Sequence, residues 1–121
     1  MRLARVLVAL SLVTLLSRPA MAEPRWLACK FNDSSGKAQN FVMVFDDLRG
    51  TASLLDAGSL VEGANTSINF QSLRTRFPQF TITYNRNDGA LAVVPSGGLG
   101  GILNGECRRS AAPPGAPQVP Q

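Results

Sequence analysis

The sequence contains no histidine and only two cysteines in 121 residues. Without histidine there is no Ser-His or Cys-His pair for nucleophilic catalysis, and a common zinc ligand is missing. The acidic residues form no Asp-x-Asp-x-Asp-Gly calcium loop, and no Lys-Ser/Thr pair follows the glycines of 97–101, as a phosphate-binding loop would require. These absences predict a protein with no catalytic residues, no metal site and no cofactor.

The remaining candidate catalytic pairs have simpler explanations. Asp46 and Asp47 are adjacent at the end of a predicted strand, where their side chains point to opposite sides. Ser34, Ser35 and Lys37 lie in a stretch with the composition of an exposed turn, where a lysine has no reason to lose its proton. We therefore predict that the protein is not an enzyme.

Long hydrophobic runs are also scarce, and the clearest one lies at the N-terminus. Arg2 and Arg5 precede an apolar stretch over 6–16, and Ala20-Met21-Ala22 follows, which is the pattern of a secretory signal peptide over 1–22. The apolar stretch is about half the roughly 20 residues that a membrane-spanning helix needs. The sequence predicts a periplasmic or secreted protein without a stable membrane anchor.

The positive charge of the chain belongs largely to this N-terminal segment. Twelve Lys and Arg face eight Asp and Glu, but three of the arginines lie in 1–22, which leaves nine against eight. A nucleic-acid-binding domain needs a basic stripe that neutralises phosphates, whereas these charges are scattered. Nucleic acid is therefore not an expected partner.

The two cysteines, Cys29 and Cys107, lie near the two ends of the exported chain. Two thiols in an oxidising compartment most often pair, so we predict a disulfide between them. Lipidation of Cys29 is the alternative. It agrees poorly with the sequence because the apolar run ends at Leu16 and Trp26 stands where an aliphatic residue is expected.

Alternation of apolar and polar residues recurs along the exported chain, whereas no sustained helical period does. Asn87-Asp88-Gly89 has the composition of a tight hairpin turn. A helical turn over 52–55 is an alternative to a strand there. The predicted strands are 26–31, 40–46, 51–55, 59–62, 67–73, 79–86, 90–94 and 102–108, and their large predicted core residues are Phe41, Met43, Phe45, Phe70, Phe80, Ile82 and Tyr84.

These strands predict an all-β domain over 23–109, a small antiparallel barrel or sandwich closed by one disulfide. Closure into a barrel is preferred because a bridge between the first and last strands holds the chain ends side by side. Residues 110–121 contain four prolines and neither charge nor aromatic residues. This segment is predicted to be a disordered or polyproline-like tail.

Residues 74–78 combine two arginines, an aromatic residue and a proline. Arg74, Arg76 and Phe77 are therefore the candidate partner-binding loop, since arginine and aromatic residues dominate binding hot spots. The alternative interpretation places Phe77 in the core and the arginines in solvent.

The predicted function is an exported noncatalytic binding module for an envelope protein partner, and an inhibitor of a cell-envelope enzyme is one form that such a module takes. The alternative is a β-barrel carrier of a small apolar ligand, which would require a cavity between the strands. Large predicted interior side chains favour the binding module, because side chains alone can fill a barrel of about eight strands. The oligomeric state is left open.

Three motifs carry a resemblance: Trp26-x-x-Cys29, the stretch Ile82 to Leu91, and Gly105-Glu106-Cys107. With them the chain resembles small exported proteins of Gram-negative bacteria that have a terminal cysteine pair, which implies the fold but no activity. It is also faintly similar to the periplasmic inhibitors of c-type lysozyme, which are small antiparallel barrels with a Ser-Gly-x-x-Tyr loop. Neither Ser35-Gly36 nor Ser96-Gly97 is followed by that tyrosine.

Overall fold

The structure is a computed structural model that describes residues 23–97 and 101–119. The predicted signal peptide lies outside the described residues. Within them there are nine strands and no helix, and so no helix that could cross a membrane. The strands are β1 (Arg25–Asn32), β2 (Ala38–Asp46), β3 (Thr51–Asp56), β4 (Ser59–Glu62), β5 (Ala64–Ile68), β6 (Ser72–Arg76), β7 (Phe80–Asn85), β8 (Ala90–Pro95) and β9 (Leu103–Ser110).

All strand pairs are antiparallel, and the sheet order is β4-β3-β2-β1-β9-β8-β7-β6-β5. Only Gly63 separates β4 from β5, and β5 also contacts β3. The first half of this segment pairs with β3 and the second half with β6, so the sheet curls into a nearly closed barrel. The all-β prediction is confirmed, with the barrel as its form.

The disulfide lies at the seam where the first and last strands meet. Cys29 on β1 is directly opposite Cys107 on β9, and their sulfurs are 2.07 Å apart. Both cysteines are buried. The predicted pairing is confirmed, and it fits an extracellular or periplasmic protein.

Side chains fill the interior of the barrel. Met43, Leu73, Ile82 and Val93 have no exposed surface, which places them at its centre. One end holds a cluster of aromatic rings whose centroids lie 5.1 to 6.2 Å apart, within the usual range for such pairs. The members of this cluster are Phe31, Phe41, Phe77 and Phe80.

The predicted strand over 67–73 is wrong, because the chain turns in its middle. The Asn69 side-chain oxygen accepts hydrogen bonds from the backbone N–H groups of Gln71 (2.8 Å) and Ser72 (2.9 Å). This local bonding competes with strand pairing and favours a turn. Phe70 lies at that turn with 84% of its surface exposed, so it is not a core residue.

The outcomes for β3 and β5 differ. Residues 51–56 form β3, so the strand predicted over 51–55 is confirmed and the alternative helical turn is not formed. The sequence Ala-Asn-Thr-Ser-Ile of β5 lacks an apolar alternation and was not predicted as a strand. Its backbone pairs irregularly with β6, and Thr66 also bonds the buried Thr75 of β6, with 2.8 Å between their hydroxyl oxygens.

The C-terminal segment continues from β9 along the outside of the barrel. Over 111–119 it has no regular secondary structure apart from a turn, in which Ala116 N–H donates to the Pro113 carbonyl at 3.0 Å. Disorder of this segment stays a prediction.

Candidate functional site

The three predicted partner-binding residues do not share one loop. Arg74 and Arg76 lie on β6 with their side chains outward and exposed. Phe77 follows them, but only 1% of its surface is exposed and it belongs to the core. The loop prediction is therefore corrected to an exposed arginine pair on a strand, because alternation along β6 sends Thr75 and Phe77 inward and the arginines outward.

The arginine pair lies on a polar outer face formed by β5, β6 and β7. Arg74 is opposite Thr83 on β7 and Ser67 on β5, and Arg76 is opposite Thr81. A cleft of about 520 Å³ runs beside them. The stretch 63–87 contains no acidic residue, so this part of the chain supplies the arginine pair with no carboxylate.

Sequence reasoning missed the role of Arg86 at the end of the barrel. Its Nη1 and Nη2 donate to the two carboxylate oxygens of Asp47 at 2.8 and 3.0 Å, and Nη1 also donates to the Asn69 carbonyl at 2.7 Å. The guanidinium lies 5.0 Å from the centre of the Phe45 ring, and the side chain is only 15% exposed. One arginine thereby joins the β2–β3, β5–β6 and β7–β8 connections.

Two exposed hydrophobic residues stand beside this arginine. Leu48 directly follows Asp47, and Phe70 directly follows Asn69, so each lies next to a residue that Arg86 holds. The Leu48 N–H donates to the Asp46 side chain at 3.0 Å. Both residues are presented on turns with fixed backbones at the same end of the barrel.

Three sets of hydrogen bonds fix the turn that carries Phe70. Besides the Asn69 side-chain bonds described above, the Asn69 N–H donates to the Ser72 carbonyl at 2.9 Å. The Arg86 N–H donates to the Gln71 carbonyl at 2.8 Å. Because these hydrogen bonds already fix the turn, little backbone entropy would be lost if a partner covered the ring.

The electrostatics of this end centre on Asp47. The hydrogen bond from Arg86 is the main cause that lowers the pKa of Asp47 below its ordinary value of 3.8. Burial, the second-largest cause, opposes this effect, and the charges of Arg86, Arg25 and Arg109 lower the pKa further. Asp47 is therefore held ionised as the anchor of Arg86.

Replacing Arg86 with methionine is expected to raise the pKa of Asp47 towards 3.8, because its strongest hydrogen-bond donor is removed. A lowered pKa in the folded state stabilises the protein above pH 3.8, and this contribution is lost as the pH falls through the lowered value. The difference in unfolding free energy between wild type and Arg86→Met should therefore narrow in acid. Carboxyl-carbon NMR titration and urea unfolding at several pH values measure both effects.

The control for this prediction is Arg76→Met, which removes the same charge from the outer face of β6. It should leave the pKa of Asp47 unchanged. If Arg86→Met also leaves it unchanged, Arg86 does not control Asp47.

At the opposite end, the serine and lysine considered for catalysis belong to the turn between β1 and β2. The Ser35 hydroxyl donates to the Asp33 carboxylate at 2.6 Å, and the N–H groups of Ser35 and Lys37 donate to the same oxygen at 2.9 Å. The Ser35 hydroxyl bond is the largest cause that lowers the pKa of Asp33 to about 2. Ser35 therefore stabilises the turn by donating hydrogen bonds to Asp33.

Among the described residues no group of three or more His, Cys, Asp or Glu side chains is placed to hold a metal ion. No family model, curated protein or solved structure matches the chain.

Proposed function

We propose that this protein is an exported, noncatalytic binding module that docks a protein of the cell envelope through its β5–β6 hairpin. The observation that supports the proposal most strongly is the 84% exposure of Phe70 on a turn that hydrogen bonds hold rigid. Leaving such a large apolar ring in water has no benefit for the isolated fold. Its benefit comes when a partner covers it.

Arg74 and Arg76 extend the same hairpin surface along the outer side of β6. At about 3.3 Å per residue they lie roughly 7 and 13 Å along the strand from Ser72, where β6 leaves the Phe70 turn. A fitting partner has an apolar pocket for the ring and carboxylates beyond it for the two guanidinium groups, which suit paired carboxylate recognition. An enzyme of the cell wall with an acidic cleft is one such partner, and the module would then act as its inhibitor.

The buried Cys29–Cys107 disulfide supports a location outside the cytoplasm. The signal-peptide pattern over 1–22 narrows the proposal to the periplasm or the medium. The alternative, a carrier of a small apolar ligand, has less support because fully buried side chains occupy the centre of the barrel.

The proposal is tested by capture from an envelope extract with the immobilised exported chain and two variants. Phe70→Ser should weaken capture of the partner about 30-fold, which corresponds to a hot-spot contribution of about 2 kcal/mol. Ile102→Ser is the matched control, since Ile102 is also an exposed hydrophobic residue but lies before β9 at the other end of the barrel. Thermal unfolding of both variants should match the wild type.

Equal capture by the wild type and Phe70→Ser would rule out the hairpin as the docking surface. Recovery of a lipid or another small apolar molecule, with no protein, would contradict the binding-module function and support the carrier function. A captured cell-wall enzyme whose activity falls in the presence of the wild type but not of Phe70→Ser would support the inhibitor form.

A further inference from the structure

Trp26 and Val44 are buried although they lie on the outside of the barrel. On β1 the residues that point inward are Leu27, Cys29 and Phe31, so Trp26 points outward. Trp26 is paired with Val44 on β2, and neither belongs to the interior core cluster. Yet only 8% of Trp26 and 2% of Val44 is exposed.

A row of apolar side chains lies next to this pair. In the next row, Val42 on β2 is opposite Leu55 on β3, which is opposite Leu60 on β4. All three side chains point outward and are half-buried. The outer side of β1 to β4 therefore carries an apolar patch, whereas the other side of the barrel carries the arginine and threonine face. We call this patch, which consists of Trp26, Val44, Val42, Leu55 and Leu60, the Trp26 face.

The C-terminal segment lies at the Trp26 end of this face. Ser110, the last residue of β9, is directly opposite Trp26 on β1, so the chain leaves the barrel beside the indole ring. A cleft of about 360 Å³ has Pro24 and Trp26 on one side and the segment on the other. The half-buried residues of the segment are Pro113, Ala116, Pro117 and Val119.

Among the described residues, no hydrogen bond or ion pair joins 111–119 to the barrel, and the bond between Ala116 and Pro113 is internal. The segment has no charged side chain, and four of its residues are prolines. Apolar contacts between proline rings and an indole are the same chemistry by which aromatic grooves bind proline-rich peptides.

We propose that the Trp26 face is a docking site for an uncharged, proline-rich segment of a partner protein, and that the chain's own C-terminal segment is a displaceable occupant. The occupant seated in the structure defines the chemistry of the ligand. Because it is tethered, it competes at an effective concentration in the millimolar range even though its contacts are few. A partner segment must therefore bind better than this internal competitor, or arrive when the competitor is released.

Trp26 is the only tryptophan in the chain, so its fluorescence reports on this face alone. In the full exported chain, Pro117→Ser combined with Val119→Ser removes two half-buried contacts of the segment and should shift Trp26 emission to longer wavelength. Pro114→Ser is the control, because Pro114 is exposed. It should leave the emission unchanged.

A synthetic peptide with the sequence of residues 111–121 then serves as the probe. It should restore the emission of the double variant. If the wild-type segment occupies the site nine-tenths of the time, the peptide should bind the double variant about tenfold more tightly than it binds the wild type. A second peptide with its prolines changed to serine should not bind.

Two results would overturn the proposal. One is equal behaviour of the two peptides. The other is dimerisation of the full chain with Trp26 buried between copies, which would make a second copy the occupant. Phe70→Ser should bind the proline-rich peptide like the wild type, so failure here is distinguishable from failure of the hairpin surface.

Discussion

Replacing both Cys29 and Cys107 with serine is expected to lower the free energy of unfolding by roughly 2 to 5 kcal/mol. The disulfide joins residues 78 positions apart and therefore restricts nearly the whole unfolded domain. It also lies on the β1–β9 seam, where pairing closes the barrel between the two most distant strands in sequence. For a domain of this size the expected loss is a large part of the total stability.

Urea unfolding of the oxidised wild type and the double serine variant measures this loss. The reduced wild type should unfold like the variant. Ala28→Ser is the control, because Ala28 lies between Leu27 and Cys29 on the same strand but points outward. Free thiols in native protein extracted from the envelope would contradict both the pairing and the predicted location.

Replacing Gly105 with alanine is expected to destabilise the protein by roughly 3 kcal/mol, at the upper end of the usual cost of overpacking. Gly105 on β9 is opposite Phe31 on β1. A Cβ atom at this position would overlap the Lys30 carbonyl oxygen and lie 2.7 Å from Phe31 Cβ. Since one of these atoms belongs to the backbone, a rotamer change cannot relieve the overlap, and the two seam strands must separate.

Asn104→Ala is the matched control for this substitution, because Asn104 precedes Gly105 on the same strand and its side chain is exposed. Its effect should stay within about 0.5 kcal/mol, as is usual at the surface. Equal unfolding midpoints for Gly105→Ala and Asn104→Ala would show that β1 and β9 tolerate a wider separation. Hydrogen exchange of the β1 amides should accelerate in Gly105→Ala alone.

The strands that sequence reasoning found share one property. β2 and β7 bury every second residue against the core, as Met43 and Phe45, and Ile82 and Tyr84, show. Their pattern is visible because one face meets the interior over the whole strand. The turn after β7 was also predictable, since Gly89 has the positive φ of 82° that the hairpin needs.

The strands that were missed or misread lack this regular burial. β5 is short, mostly polar and irregular in its pairing with β6, so its alternation is weak. Phe70 was predicted as a core residue because an apolar residue in an alternating stretch is usually buried. The Asn69 side chain converts that position into a turn, and local bonding of this kind is not visible in hydrophobic periodicity.

The candidate site was predictable only in part. Arg74 and Arg76 were identified from their residue types, and their exposure follows from the alternation of β6. Phe77, two residues from Thr75, points inward with it and cannot contact a partner. No sequence pattern indicated the role of Arg86, because its partners Asp47 and Asn69 lie 39 and 17 residues away in sequence.

The sequence by itself determined the all-β class, the two paired cysteines and the glycine turn, because each depends on residue types and short spacings. Only the tertiary structure decided that the sheet closes into a barrel, that Arg86 joins three connections, and that Phe70 is exposed while Trp26 is covered from outside. These features depend on which distant segments become neighbours. That choice follows from strand order and register, which are set by the packing of the whole chain and not by any one segment of it.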